Sequence, residues 1–259
     1  MVPFRGRVGR MDGGDDQERA EEEEDSVSVN IVEKVDDRVR VRHALISVSD
    51  KEGLEPLVND LLRIVPDLKI FSTGGTYARI EEILGKEAGS TLVQVSSYTG
   101  QPETQGGLVK TLDFKIYLGL LTEAHNPLHR EDLKRTGAVP IDLVVVNLYP
   151  FRKTVERPGV TLEEARANID IGGPCMVRAS AKNFHRVAIL VDPTDYSGLT
   201  ASLETNGGCT RLAERFGYAQ KAFGHTAAYD RHIMDYLEGV RFSEASGCYD
   251  IQPETMGDG

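Results

Sequence analysis

Five short apolar runs, separated by segments with helical spacing, most constrain the fold of this chain. The runs are residues 43–48, 68–71, 92–95, 141–146 and 186–191. Apolar runs of this kind are typical of parallel strands buried on both faces, and the segments between them indicate covering helices. The sequence therefore predicts an α/β fold with a doubly wound, mainly parallel sheet. With 259 residues and 40% hydrophobic content, the chain can bury one large core.

Both ends of the chain differ in composition from this middle part. Residues 1–40 carry an acidic run at 21–25 and few large apolar residues, which predicts a disordered acidic leader. Residues 241–259 are rich in glycine, serine and acidic residues and are expected to fray. The folded domain is therefore predicted over residues 41–240, with a C-terminal helical extension. One side of that extension is predicted to carry Leu212, Phe216, Ala219 and Phe223.

Charge and cysteine content exclude several classes of partner. A net charge of −11 and a pI of about 5.1 argue against binding to nucleic acid or to an anionic membrane surface. No apolar run approaches the roughly 20 residues of a membrane helix, and the N-terminus lacks a signal-peptide core. The three cysteines are widely spaced without a C-x-x-C pair, so neither a disulfide framework nor a zinc site is predicted. We expect a cytoplasmic protein with no bound metal.

Two loops at the predicted carboxyl ends of strands are candidate anion sites. Residues 47–51 follow the first run and residues 72–76 follow the second, and each offers hydroxyls, backbone N–H groups and a helix start. Neither loop has the G-K-[ST] of a Walker A loop or the G-x-G-x-x-G of dinucleotide enzymes. Ordinary turns and helix caps remain an alternative interpretation of both loops.

Two further segments carry polar residues beside glycines or at strand ends. Residues 106–111 place paired glycines before Lys110 and Thr111, and residues 147–151 put Asn147 and Tyr149 where the most apolar run ends. Tyr149 would either donate to a developing oxyanion or pack with its hydroxyl in water. Asn147 is a candidate substrate-binding residue.

Residues 168–183 read N-I-D-I-G-G-P-C-M-V-R-A-S-A-K-N and predict a loop that begins a helix. Gly172 and Gly173 allow a sharp turn, and Pro174 suits the first helical position. The free N–H groups of such a helix start can receive an anion or a polarised carbonyl. Asp170 lies before the turn and Lys182 about two turns after Pro174. They are either partners in one site or unrelated surface charges.

Taken in order, these segments resemble the inosine-monophosphate (IMP) cyclohydrolase domain of the bifunctional purine biosynthesis protein family. The matching pieces cover roughly residues 43–240 and are S-V-S-D-K, S-T-G-G-T, V-K-T-L, D-L-V-V-V-N-L-Y-P-F, P-G-V-T-L-E-E-A, N-I-D-I-G-G-P, A-K-N and K-A-F-x-H-T-A-A-Y-D. The resemblance implies a methylglyoxal-synthase-like core that closes 5-formamidoimidazole-4-carboxamide ribotide (FAICAR) to IMP with loss of water. Because both reacting groups lie on one substrate, the enzyme has mainly to hold a rotamer and move protons, and no cofactor is required.

The resemblance also implies a role for individual residues. Lys182 would donate and accept protons, and Asp170 would hold or deprotonate the carboxamide. Lys110 and Tyr149 would steady the formyl oxygen. The backbone at Ile171 and Gly172 would line the base pocket, and the 5′-phosphate would be surrounded by Ser49, Lys51, Ser72, Gly74, Gly75, Thr76 and Thr111.

One segment departs from the family pattern. It reads G-L-V-K-T-L-D-F where the family usually has G-R-V-K-T-L-H-P, so that Leu108 replaces an arginine expected at the phosphate. Losing such a charged hydrogen bond costs about 1.5–3 kcal/mol. Asp113 and Phe114 replace the His-Pro pair. The candidate compensating cations are Lys115, Arg178 and Arg42.

Other functions and other roles remain open alternatives. The proposed proton-transfer residues are all present, which favours an active enzyme, whereas the departures motivate one alternative, a non-catalytic ribotide-binding module. The first half of the chain also resembles phosphate-ester lyases of the methylglyoxal synthase type. No formyltransferase domain fits after Gly239, so a separate enzyme would supply the substrate, and a homodimer is one alternative for the assembly. His225 is interpreted as a packing residue and Cys175 as a small buried one.

Overall fold

The computed structural model describes residues 31–101 and 111–252, and its core is a five-stranded parallel sheet. The strands are β1 (Arg38–Arg40), β2 (His43–Val48), β3 (Lys69–Ser72), β4 (Leu92–Gln94), β5 (Leu143–Asn147), β6 (Ala188–Leu190) and β7 (Cys209–Arg211). The large sheet has the order β4-β3-β2-β5-β6, and every neighbouring pair is parallel. The predicted doubly wound α/β fold is therefore confirmed, with strand bounds shifted by at most a few residues.

The order of the strands reverses between β2 and β5. From β2 the chain adds β3 and β4 on one side, and then crosses over to add β5 and β6 on the other. Leu45 pairs with Phe71 on one side and with Val144 on the other. In open α/β sheets, ligands bind outside the carboxyl ends of the strands at such a reversal.

Helices cover both faces of the sheet. In chain order they are α1 (Leu54–Ile64), α2 (Gly74–Leu84), α3 (Ala88–Thr91), α4 (Val95–Thr99), α5 (Phe114–Leu121), α6 (Pro127–Thr136), α7 (Phe151–Val155), α8 (Leu162–Ala167), α9 (Gly172–Lys182), α10 (Tyr196–Thr205), α11 (Leu212–Glu238) and α12 (Phe242–Ser246). Successive residues of β2 point to opposite faces. Ala44 and Ile46 pack with α1, α2 and α10, whereas Leu45 packs with α5, α9 and α11.

The long helix α11 confirms the predicted helical extension but buries a different side. Ala219 and Ala222 are buried in the core, whereas Phe216 is 48% exposed and Phe223 is 41% exposed. The predicted apolar side is therefore buried at Ala219 and exposed at both phenylalanines. The small side chains allow α11 to pack on α9. Phe223 instead lies beneath the guanidinium of Arg178, 5.7 Å from its ring centroid.

The structure also places regular elements in both predicted end segments. Strand β1 lies within the predicted leader and pairs antiparallel with β7. The fully buried guanidinium of Arg215 holds this region, because it donates to the backbone oxygens of Asp36 and Asp37. Helix α12 lies within the predicted tail. Residues 1–30 and 253–259, with the acidic run, are outside the described residues.

The described residues contain neither a membrane-spanning helix nor a cluster of metal-binding side chains. In residues 31–101 and 111–252, no helix has the length and apolar character needed to cross a membrane. The same residues contain no group of three or more His, Cys, Asp or Glu side chains placed to hold a metal ion.

Candidate functional site

A cavity of about 260 Å³ opens at the carboxyl ends of β2, β3 and β5, where the strand order reverses. Its walls are the loops after these strands and the first turn of α9. The lining residues are Ser47, Val48, Ser49, Lys51, Thr73, Gly74, Gly75, Thr76, Thr111, Leu112, Val146, Asn147, Tyr149, Asp170, Gly172, Gly173 and Met176. The structure thus brings together most of the residues predicted from the sequence, from segments more than 100 positions apart.

One end of the cavity is suited to an anion. Helix α2 begins at Gly74, and the side chain of its N-cap residue Thr73 makes no capping hydrogen bond. The first N–H groups of the helix are therefore free to bind a ligand. A Cβ atom on Gly75 would lie 3.9 Å from Nζ of Lys51, so the ammonium group lies over the start of this helix. Among the described residues that line the cavity, Lys51 is the cationic side chain.

Two hydroxyls predicted to bind phosphate are instead bonded to the backbone of β2. Ser72 is fully buried, its Oγ donates to the carbonyl of Ile46 at 2.7 Å, and it is not among the residues that line the cavity. Thr76 lines the cavity, but its Oγ1 donates to the carbonyl of Val48 at 2.9 Å and accepts from the N–H of Val48 at 3.1 Å. Both side chains support the end of β2.

Asn147 holds the loop that carries Ser49 and Lys51. Its Oδ1 accepts from the N–H of Ser49 at 2.6 Å and of Asp50 at 2.9 Å, and its Nδ2 donates to the carbonyl of Asp50 at 2.8 Å. The amide is therefore occupied by protein contacts. Asn147 positions the loop of Ser49 and Lys51, and it also lines the cavity.

The cavity also contains a carboxylate held by two backbone donors. Oδ1 of Asp170 accepts from the N–H of Gly173 at 2.9 Å, and Oδ2 accepts from the N–H of Tyr149 at 3.4 Å. Donors of this kind fix the direction of the carboxylate. The side chain of Tyr149 is 58% exposed and lines the same cavity.

Gly172 and Gly173 are required for close packing. A Cβ atom on Gly172 would lie 2.8 Å from Oγ1 of Thr111, and one on Gly173 would lie 2.6 Å from Oδ2 of Asp170 and from Leu148. Neither glycine has a positive φ, so the sharp turn predicted here is made without a left-handed residue. Helix α9 begins at Gly172, which puts Pro174 at the third helical position, two later than predicted.

The remaining predicted residues either line the cavity, lie away from it or fall outside the described residues. Thr111 is buried and lines the cavity, whereas Ile171 is 57% exposed as the N-cap of α9 and its side chain is not part of the lining. Lys182 is the exposed last residue of α9, about 15 Å along the helix from Gly172. The structure of the single chain does not bring Lys182 to the cavity. Lys110 and Leu108 lie outside the described residues.

None of the three candidate compensating cations lines the cavity in the described structure. Nζ of Lys115 donates to the carbonyl of Tyr98 at 3.1 Å, and Arg178 packs on Phe223. Asp113 has a structural role, because its carboxylate caps α5 by accepting from the N–H of Lys115 at 2.8 Å.

Sequence reasoning missed Tyr229, whose hydroxyl accepts from the backbone N–H of Asp170 at 2.8 Å. The two residues are 59 positions apart, and no spacing rule relates them. Tyr229 lies in the H-T-A-A-Y-D piece that resembles the family, but the resemblance implied no role for this tyrosine. Burial raises the pKa of Tyr229, although the hydrogen bond from Asp170 opposes that shift.

Two known families match the chain. The family described as AICARFT/IMPCHase bienzyme matches residues 180–255, and the MGS-like domain matches residues 53–175. The two matched regions adjoin within α9, on either side of residues 176–179.

Individual relatives match a longer part of the chain than either family does. The bifunctional purine biosynthesis protein PurH of Leptospira biflexa serovar Patoc is 44% identical over 209 residues, which are 80% of this chain and 39% of that protein. PurH of Ligilactobacillus salivarius is 48% identical over 197 residues, which are 76% of this chain and 37% of that protein. The chain therefore spans less than two fifths of the length of these relatives.

A solved structure matches over nearly its whole length. The crystal structure of ForH is 33% identical, with a TM-score of 0.62, and the match covers 75% of this chain and 97% of that one. At this identity and coverage, the chain belongs to the AICARFT/IMPCHase bienzyme family and corresponds to its IMPCH-like part, with an MGS-like domain.

Proposed function

We propose that this chain is an IMP cyclohydrolase, which closes the ring of FAICAR to give IMP and water. The observation that carries the proposal is that Lys51, the start of α2 and the fixed carboxylate of Asp170 all line one cavity. A ribotide offers a phosphate to the cation and a heterocycle to the carboxylate.

The chemistry follows from these positions. The carboxamide nitrogen of FAICAR attacks its own formyl carbon and loses a proton, and the formyl oxygen takes up a proton to become a hydroxyl. The hydroxyl then leaves as water together with the proton of the formamido nitrogen, as the C=N bond of the new ring forms. Asp170 accepts the proton, because its oxygens are held in place by the N–H groups of Gly173 and Tyr149. The hydroxyl of Tyr149 donates to the formyl oxygen. Holding the two reacting groups together supplies much of the rate.

Turnover of FAICAR tests the proposal directly. The purified chain is mixed with FAICAR, and the ultraviolet change to IMP is followed beside a protein-free blank and the Asp170→Asn variant. We expect turnover in the wild type and loss of at least about a hundredfold in Asp170→Asn. Binding of IMP by a chain without turnover would identify a non-catalytic ribotide-binding module, and absence of both would refute a purine ribotide as ligand.

The methylglyoxal-synthase-type alternative is tested with the same protein. Dihydroxyacetone phosphate is offered in place of FAICAR, and release of inorganic phosphate is measured. We expect none, because Tyr149 and Asp170 come from the part of the cavity built by residues beyond 140 and are suited to a heterocycle. Phosphate release without IMP formation would replace the proposal.

The Lys182→Ala variant decides whether one chain forms the whole catalytic site. Turnover within a few-fold of the wild type would mean that the cavity as described is complete. Loss of turnover with unchanged IMP affinity would mean that Lys182 reaches a site in another copy of the chain. Lys134→Met, on the exposed surface of α6, is the matched control.

A further inference from the structure

Tyr229 is buried on α11, and the reaction proposed above gives it no task. Its side chain is 8% exposed, and its hydroxyl accepts from the backbone N–H of Asp170 at 2.8 Å. Asp170 lies two residues before α9, so the helix offers its N–H no intrahelical partner. Tyr229 thus provides the acceptor that this half-buried N–H requires.

The same side chain also contacts the segment that carries Tyr149. The ring of Tyr229 packs edge-on against Phe151, with centroids 6.3 Å apart and an angle of 68° between the ring planes. Phe151 is buried and begins α7, two residues after Tyr149. One residue of α11 therefore touches both segments that supply the reactive end of the cavity.

These two segments meet at the carboxylate itself, because the N–H of Tyr149 donates to Oδ2 of Asp170 at 3.4 Å. The direction of the carboxylate depends on the backbone of residue 170 and on where Tyr149 lies. Tyr229 holds the backbone of residue 170 by a hydrogen bond, and it holds the Tyr149 segment by packing on Phe151. The anion-binding end has a separate support in Asn147.

We propose that Tyr229 is a positioning residue that aims the Asp170 carboxylate at the reacting part of the substrate. This inference rests on the proposed function. It predicts different effects on the chemical step and on phosphate binding, since the contacts of Tyr229 are made with Asp170 and Phe151. Removing its hydroxyl is expected to impair the chemical step and to leave phosphate binding unchanged.

The test is the Tyr229→Phe variant, with Tyr236→Phe as its matched control. Tyr236 lies on the same helix and packs edge-on against the same Phe151 ring at 5.8 Å, and the structure gives its hydroxyl no bond to Asp170. For Tyr229→Phe we expect kcat for FAICAR to fall on the order of tenfold, because small misplacements of a reacting group are costly. KM and IMP affinity should stay within about twofold, and Tyr236→Phe should match the wild type.

A second measurement does not depend on turnover. Amide hydrogen exchange at Asp170 should be at least about tenfold faster in Tyr229→Phe and unchanged in Tyr236→Phe, because the N–H has lost its acceptor. If the wild type turns over no FAICAR, the proposed function is what fails, and the exchange rate still decides whether Tyr229 holds residue 170.

Three results would overturn the inference. They are an unchanged kcat in Tyr229→Phe, an equal fall in kcat in Tyr236→Phe, and a rise in KM without a fall in kcat. The last would place the effect at the anion-binding end. Thermal unfolding of both variants is recorded beside the kinetics, so that a loss of folded protein is counted separately from a loss of kcat.

Discussion

Oδ1 of Asn147 lies 2.6 Å from the backbone nitrogen of Ser49, and so the end of β5 holds the loop that follows β2. We expect Asn147→Ala to weaken IMP binding about tenfold, because the loop with Lys51 loses three hydrogen bonds. Calorimetric titration with IMP measures the effect. Asn168→Ala is the control, since its amide bonds to the carbonyl of Glu164 on α8. Equal affinities for all three proteins would contradict the role given to Asn147.

The ammonium group of Lys51 lies over the start of α2, which predicts a charge-dependent loss in the Lys51→Met variant. IMP affinity should fall by roughly one to two decades, because a charged hydrogen bond to phosphate is lost. The salt dependence of binding should also become weaker. Titrations with IMP at two ionic strengths check both effects, with Lys134→Met on α6 as the control. An unchanged salt dependence would place the phosphate elsewhere.

Gly173 has no room for a side chain, because its Cβ would lie 2.6 Å from both Oδ2 of Asp170 and Leu148. Gly173→Ala should therefore reduce the free energy of unfolding by about 1–3 kcal/mol and abolish turnover, since the carboxylate must move. Gly198→Ala in α10 is the matched control. A Cβ there meets open space, so the change should stabilise the fold by up to about 1 kcal/mol. Denaturant unfolding and turnover of both variants provide the comparison.

Burial lowers the pKa of His225 on α11 and of His185 after α9. Below the ordinary histidine pKa of about 6.5, the unfolded chain therefore binds protons that the folded chain does not. The free energy of unfolding should fall as the pH decreases through that value. In His225→Asn this fall should be smaller. Unfolding curves between pH 5.5 and 7.5 measure it, and an identical pH dependence in variant and wild type would show that His225 does not contribute.

The elements of the sheet were predictable because their patterns are local. The run at 43–48 became β2 with the same bounds, and Thr161 and Glu164, at the T-x-x-E spacing typical of helix starts, form a capping box on α8. Both are signals contained within a few residues. Most of the cavity followed as well, since parallel strands bring their carboxyl ends to one edge of the sheet.

Three features depend on tertiary contacts and could not be predicted from local sequence patterns. Ser72 and Thr76 are ordinary loop hydroxyls in the sequence, and only the approach of β2 shows that their oxygens are already bonded. Lys182 is near Asp170 in sequence, but the intervening helix separates them along its axis. The face of α11 that packs on α9 carries small residues. Hydrophobic periodicity predicts that large apolar residues are buried, so it does not identify this face.

The bonds between Asn147 and the loop of Ser49 join positions 98 apart, and they cross the reversal in strand order. Contacts of such long sequence separation form late and slow the folding of a domain. A growing chain that has emerged only as far as residue 140 contains both halves of the anion-binding end but lacks the strand that holds them. The cavity is therefore complete only after β5 has docked beside β2.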